Sequence, residues 1–289
     1  MRKKLLPTGI QHFETLRSED CYYVDKTPLI RQLIYQGRYY FLSRPRRFGK
    51  SLLVSTIAAL FEGQESLFKG LEIHEHWNWS ITHPVVRLSF GGGDYNQSGG
   101  LAQNIATTLT LIEEDFGIEP PATPCSGPDR LRFLIRRLYR KTGQQVVMLV
   151  DEYDKPILDV IHNKELATAN RDDLRNFYGV IKDSAEHVRF VFVTGVSMFS
   201  KVSLFSELNH LTDISLNPEY ATICGYTDND LDTVFAPELE NLNRNKIRRW
   251  YNGYHWRGKE KLYNPFDILL LFRNRDFDTY WFQTGSPRY

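Results

Sequence analysis

Gly49, Lys50 and Ser51 stand between an aromatic, apolar run, Arg38-Tyr-Tyr-Phe-Leu-Ser43, and a stretch whose apolar residues recur at helical spacing. A glycine, a lysine and a hydroxyl at a strand-to-helix junction can hold a polyphosphate. Loop N–H groups point inward, the helix N-terminus adds partial positive charge, Lys50 reaches the β- and γ-phosphates, and the Ser51 hydroxyl ligates magnesium. The gripping segment is Arg44-Pro45-Arg46-Arg47-Phe48-Gly49-Lys50-Ser51, with Leu52 opening the helix. The usual pattern G-x-x-x-x-G-K-[ST] carries its first glycine where this chain has Arg44, so the strand–loop–helix context supplies most of the specificity.

A second element completes that chemistry. Val146-Val-Met-Leu-Val-Asp151-Glu152 is an apolar run ending in two acids, 101 residues after Lys50. Asp151 at the end of a buried strand can hold magnesium through its water shell, and Glu152 can orient and deprotonate an attacking water. That separation suits ATPases with a strand inserted between the phosphate-loop strand and the acidic strand. A third run ends Val193-Thr194-Gly195-Val196-Ser197. Thr194 or Ser197 could sense the γ-phosphate or position the water; the alternative is a satisfied strand-end hydroxyl.

These residues need elements to carry them. The pattern predicts strands at 38–43, 85–90, 145–150 and 189–194, with a weaker one at 212–216. Helices are predicted at 28–36, from Ser51 to a stop at Gly63, and near 99–115, 129–141 and 166–186. Asp25 or Thr27 could cap the 28–36 helix, with Pro28 in its first turn. Alternating strands and helices indicate an α/β three-layer sandwich with a mostly parallel sheet. Residues 227–252 read as helical and 253–289 as aromatic-rich, which divides the chain into 1–217, with the segment 1–37 packed on it, and a small C-terminal lid, 218–289.

Composition excludes several classes. A chain of 289 residues, 42% hydrophobic and 25% charged, is long enough for a full core and is not of disordered composition. The net charge of +1 gives no global attraction to nucleic acid or anionic membrane, so any polyanion contact must be local. Cys21, Cys125 and Cys224 form no CxxC pair. No apolar run approaches the roughly 20 residues of a membrane span, and the basic start Met1-Arg-Lys-Lys is followed by no signal-like stretch, so the expectation is cytoplasmic.

Several blocks resemble the bacterial AAA-ATPase-like family: Tyr23-Val-Asp-Lys-Thr27, Phe41-Leu-Ser-Arg-Pro-Arg-Arg-Phe-Gly-Lys-Ser51, Val150-Asp-Glu-Tyr-Asp-Lys-Pro156 and Thr194-Gly-Val-Ser-Met-Phe-Ser-Lys201. Trp250-Tyr-Asn-Gly-Tyr254 and Tyr263-Asn-Pro-Phe266 belong with them. Arg44 is then the family's own variant of the loop. The resemblance implies a P-loop ATPase core of AAA+ or STAND-like type that uses ATP and Mg2+, followed by a winged-helix-like piece. Members commonly continue into a PD-(D/E)XK nuclease. This chain departs from that layout: no Glu or Gln has Lys two positions later, so no nuclease signature is expected within these residues.

The remaining candidates carry alternatives. Arg46 and Arg47 could neutralise phosphate charge or pair with Asp25 or Asp154 and brace the loop. Asp25-Lys26-Thr27 could line the adenine side or cap a helix. His74-Glu75-His76 has the look of a metal pair but lacks a third ligand, which favours an exposed connection, and Gly91-Gly92-Gly93 reads as a turn. Arg130, Arg132, Arg136, Arg137 and Arg140 fall on one side of a helix, either a solvated face or a surface for nucleic acid or an acidic partner. Arg244, Lys246, Arg248 and Arg249 pose the same choice, and one of them could reach the γ-phosphate from the lid. An oligomer is compatible with all of these.

Overall fold

The computed structural model describes residues 3–197 and 211–284. Of the blocks named above, Met198–Lys201 and everything past Thr284 lie outside them.

Five strands, β1 (Tyr39–Ser43), β2 (Val85–Ser89), β3 (Val146–Asp151), β4 (Val188–Gly195) and β5 (Thr212–Asp213), form one sheet in the order β2-β3-β4-β1-β5. Every pairing in it is parallel. β3 shows why the sheet must be covered on both sides: all six of its residues are buried. Val146, Met148 and Val150 join one hydrophobic cluster with α4 (Gly100–Asp115), α5 (Gly127–Thr142) and α7 (Lys164–Asp183). Val147 and Leu149 point the other way, into a cluster with α2 (Thr27–Gln36) and α3 (Lys50–Phe61). Period-2 alternation on a strand buried on both faces produces this split. The result is a three-layer α/β sandwich around a parallel sheet.

The strand separating β1 from β3 is β4; the earlier strand, β2, lies beyond β3 at the sheet edge. Register does the positioning. Leu42 pairs with Thr194, Ser43 with Gly195, and Val150 with Val193. The loop after β1 therefore emerges at the same sheet end as Asp151.

Predicted boundaries agree with these elements to within about two residues for β1–β4, α2–α5 and α7. The helical region 227–252 consists of α8 (Asp228–Thr233), a short 3-10 turn and α9 (Arg244–Tyr251). Thr227 heads α8 with a capping box to Asp230, and Asn243 caps α9, so each helix starts on its own signal. A hairpin of β6 (Asn252–Tyr254) and β7 (Leu262–Tyr263) follows, then α10 (Pro265–Asn274) and α11 (Tyr280–Thr284). These elements gather a third cluster that includes Leu231, Phe235, Ile247 and Ile268, and it also takes Tyr22 and Val24 from the N-terminal segment. No helix among the described residues is long and apolar enough to cross a membrane.

Candidate functional site

The loop after β1 is built by two backbone reversals and two anchored side chains. Arg47 (φ +61°) and Gly49 (φ +92°) adopt left-handed conformations. At Gly49 an added Cβ would meet nothing within 4 Å, so glycine is required there for conformation, and its surroundings are open.

Arg44 and Phe48 point away from that hollow. The Arg44 guanidinium is 1% exposed and donates to the carbonyls of Ser43 (2.9 Å), Ser215 (2.8 Å) and Tyr220 (3.4 Å). Burial pulls its pKa down to about 10. Its Cζ lies 4.2 Å from the centre of the Trp256 ring, in the turn between β6 and β7. Phe48 is fully buried and meets the same Trp256 edge-on at 4.8 Å, and Tyr254 at 4.9 Å. Gly225 lies against it: a Cβ there would sit 2.4 Å from the Phe48 ring. Arg44 was expected to bind the ligand; its side chain instead braces the fold, because a buried guanidinium needs carbonyl acceptors and finds them behind the loop.

Lys50 opens α3. Its ammonium donates to the carbonyls of Arg44 and Pro45, both at 2.9 Å, which leaves one of three donors for a ligand. Burial lowers its pKa, opposed by the negative charges of Asp151 and Glu152. Ser51 follows at the cavity wall, and its hydroxyl has no protein partner among the described residues.

The acidic pair sits beside them. Asp151 Oδ1 accepts from the Thr194 hydroxyl and from the Glu152 amide (3.0 Å), while Oδ2 has no protein partner among the described residues. Glu152 has φ +55°, a strained turn that swings its carboxylate off the strand. Burial pushes its pKa up and the charge of Asp151 adds to this, against Lys50, Lys155 and Arg46. Gly91 explains part of the glycine turn after β2: a Cβ there would lie 3.0 Å from the Glu152 carboxylate.

Thr194 and Ser197, expected to read the γ-phosphate, do not border the cavity. Thr194 is fully buried with its hydroxyl on Asp151. Ser197 gives its amide to Asp154 (2.6 Å) and its carbonyl accepts from Tyr153 (2.9 Å). Both are the satisfied strand-end case: a buried carboxylate needs donors, and these residues supply them. The pairing of Arg46 and Arg47 with Asp25 or Asp154 also fails. Those carboxylates already hold main-chain amides, Thr27 and Glu72 for Asp25, Val196 and Ser197 for Asp154. Arg47 rests over Phe266 at 4.1 Å. Arg46 is exposed at the cavity wall with no hydrogen bond or ion pair among the described residues.

The cavity measures about 420 Å³. Its lining includes the polar Arg46, Lys50, Ser51 and Glu152 and the apolar or aromatic Ile10, Tyr22, Tyr23, Tyr226 and Leu269. That is a small-molecule site in size and in the division between apolar wall and few polar groups. Of the Asp25-Lys26-Thr27 block, Asp25 accepts from the Thr27 amide at 2.9 Å, while Lys26, the N-cap residue of α2, borders the cavity and pairs with Asp230 at 3.2 Å. The contributions of Ile10, Tyr226 and Leu269 were missed, since nothing local marks a residue that meets the loop only through folding. Tyr254 and Phe266, which touch the loop, lay in recognised blocks without an assigned role.

None of the arginines of α9 borders this cavity. Arg244 binds Asp228, Asp232 (2.8 Å) and the Tyr263 hydroxyl (2.8 Å), and Arg248 binds Asp228 at 3.0 Å. His74 Nδ1 lies 2.9 Å from Glu75 and its Nε2 3.5 Å from Glu65, and no group of three or more possible metal ligands occurs among the described residues.

The groups present fit a nucleotide with magnesium. An open glycine hollow, a lysine with a spare donor, an unpartnered Ser51 hydroxyl and the free Oδ2 of Asp151 supply phosphate and metal contacts of the required kinds.

A protein-family profile described as "AAA-ATPase_like: Predicted AAA-ATPase" matches residues 7–205. A protein of Azotobacter chroococcum mcd 1, described as "Uncharacterized protein in vnfD 5'region", is 55% identical over 290 residues, covering 100% of this chain and 56% of its own length. The chain thus spans about half of that relative. Among solved structures, the Aeropyrum pernix ORC2 protein in ADPNP–ADP complexes is 14% identical with a TM-score of 0.43, over 74% of this chain and 51% of its own.

Proposed function

The chain belongs to the AAA-ATPase-like family, and from that premise we propose that it binds ATP with Mg2+ beside Lys50 and hydrolyses it. The observation that carries this reading is the convergence of Lys50, Ser51, Asp151 and Glu152 at one sheet end, with the first two and Glu152 on a nucleotide-sized cavity.

Loop amides and Lys50 hold the β- and γ-phosphates, and the aromatic residues of the cavity lining take the base. Ser51 and Asp151 would hold Mg2+, which when bound draws charge from the phosphate oxygens. Glu152 positions a water and takes its proton; a carboxyl raised by burial is better matched to that task near neutral pH. Thr194 keeps the Asp151 carboxylate oriented. Arg46 is the unengaged cation at the cavity wall and faces the γ-phosphate charge. The chain divides at 217/218 into the ATPase unit and a lid, and it acts in the cytoplasm.

Glu152→Gln is the direct test. Binding of a non-hydrolysable ATP analogue should persist while turnover falls about 10²-fold or more. Unchanged turnover defeats the assignment.

A second reading, a nucleotide-dependent switch with little turnover, is favoured by one observation: Trp256 touches both Arg44 and Phe48, so loop movement is felt in the C-terminal elements. Steady-state turnover with and without DNA separates the readings, since a switch stays near zero until its trigger is supplied.

A further inference from the structure

At the opposite end of the sheet, where the strands begin, lies a second set of cations that ATP chemistry does not use. The five arginines of α5 have separate fates. Arg130 grips Glu113 (3.0 Å from Nε), Arg132 is shared between Asp129 (2.8 Å) and Asp183 (3.2 Å), and Arg137 donates to the Glu119 carbonyl. Arg136 and Arg140 are exposed, with no hydrogen bond or ion pair among the described residues. They stand one helical turn apart, about 6 Å along the axis. Phe133, 44% exposed, extends the same stripe.

Arg136 and Arg140 line a groove of about 410 Å³ together with Arg132, Tyr139 and His187. Tyr139 stacks on His187, ring centres 4.6 Å apart and ring planes nearly parallel at 5°. His187 leads directly into β4, whose second residue is Arg189. The neighbouring strand starts just after Arg38, and the Val191 amide donates to the Arg38 carbonyl at 2.7 Å. Neither Arg38 nor Arg189 has an acidic partner among the described residues. Burial lowers the Arg189 pKa, and the like charge of Arg38 adds to that.

Acids are present as well. Asp183 answers Arg132, and Glu186 lies 3.5 Å from His187. Arg136 and Arg140 on α5, and Arg38 and Arg189 at the starts of β1 and β4, then remain without an acidic partner among the described residues. The contrast with α9 matters, because there Arg244 and Arg248 are tied to Asp228.

We propose that this end of the sheet is a nucleic-acid docking surface, on which Arg38, Arg136, Arg140 and Arg189 take backbone phosphates and Phe133 offers a face for base stacking. Guanidinium groups bind phosphate as paired donors, and exposed rings beside them stack bases whatever the sequence. An acidic peptide gains little from a ring face. An anionic membrane would call for a broad apolar wedge, and Phe133 is a single exposed ring.

Anisotropy titrations of the chain with a 20-nucleotide single strand and a 20-base-pair duplex, at 50 and 200 mM salt, test the surface. With four phosphates engaged, affinity should fall about 100-fold across that range, from a slope near −0.9 per phosphate. Arg136→Ala with Arg140→Ala should reduce that slope by about 2, while ATP-analogue binding and melting temperature stay unchanged. Arg38→Ala should reduce it by about 1. The single-strand arm should bind more tightly if Phe133 stacks bases, and Phe133→Ala should remove that margin. Salt-insensitive binding, or a slope unmoved by the double variant, overturns the proposal; so does equal competition by polyglutamate or by anionic vesicles. Lys50→Ala should leave DNA binding intact, so failure here is distinguishable from failure of the ATPase reading.

Discussion

The phosphate loop has two sides of opposite character. Behind it, Arg44 is tied to three carbonyls and stacked on Trp256, and Phe48 is wedged between Trp256, Tyr254 and Gly225. In front, Arg46 and the Ser51 hydroxyl have no protein partner among the described residues, Lys50 keeps a spare donor, and Glu152 is held in a strained turn. The back is packed like a core and the front is left unsatisfied, with one chain of eight residues supplying both. A rigid back holds the loop amides in place, so the front need not be organised by the ligand.

That contrast can be broken from behind. Gly225→Ala combines a φ of +88° with a Cβ placed 2.4 Å from Phe48. It should cost about 3 kcal/mol in urea unfolding, from overpacking and left-handed strain together, and nucleotide affinity should fall with it. A stability loss with unchanged affinity would show that the back does not organise the front.

From the front, Lys50→Ala should weaken ATP-analogue binding about 100-fold, as expected for lost charge-assisted hydrogen bonds, while stability moves by less than about 1 kcal/mol. Calorimetric titration and thermal melts read the two effects separately. Comparable losses in both would erase the distinction.

Asp267 sharpens the picture through pH. It is 2% exposed on the first turn of α10, one carboxylate oxygen lacks a partner, and burial lifts its pKa to about 6, with Arg47 opposing. A carboxyl raised on folding binds its proton more tightly in the native state. Its contribution is therefore fully favourable below about pH 4 and is lost as pH rises toward 6. Asp267→Asn should flatten stability over that window and give a more stable protein above pH 6. An unchanged pH profile would place Asp267 in a better solvated site than its burial implies.

The smallest effect is Arg47→Ala. Removing the cation from Phe266 should cost about 1 kcal/mol or less, and it should steepen the pH dependence set by Asp267. A large loss of nucleotide binding would instead move Arg47 to the working side of the loop.

Much of this molecule was legible along the chain. Continuous apolar runs marked β3 and β4, helical periodicity marked α3, α4, α5 and α7, and the pairing of Gly-Lys-Ser with Asp-Glu marked the site. The 227–252 region read as helical without internal bounds, and Thr227 and Asn243 begin its two separate helices. Thr194 illustrates the other limit. A strand-end hydroxyl looks the same in sequence whether it faces a ligand or a neighbouring acid, and only the register Leu42–Thr194 with Val150–Val193 turned it onto Asp151.

What could be read along the chain is therefore local: which segments are strands and helices, and which residue types could meet a polyphosphate. Hydrophobic period and backbone sterics act over a few neighbours, so they are written within a few neighbours. Tertiary structure decided which arginines are engaged and which are free, that Trp256 stands behind a loop some two hundred residues earlier, and that Ile10, Tyr226 and Leu269 share one cavity. Those outcomes depend on burial and on competition for partners across the whole chain, where an arginine meets a carbonyl, a ring or open water only once every other element has packed.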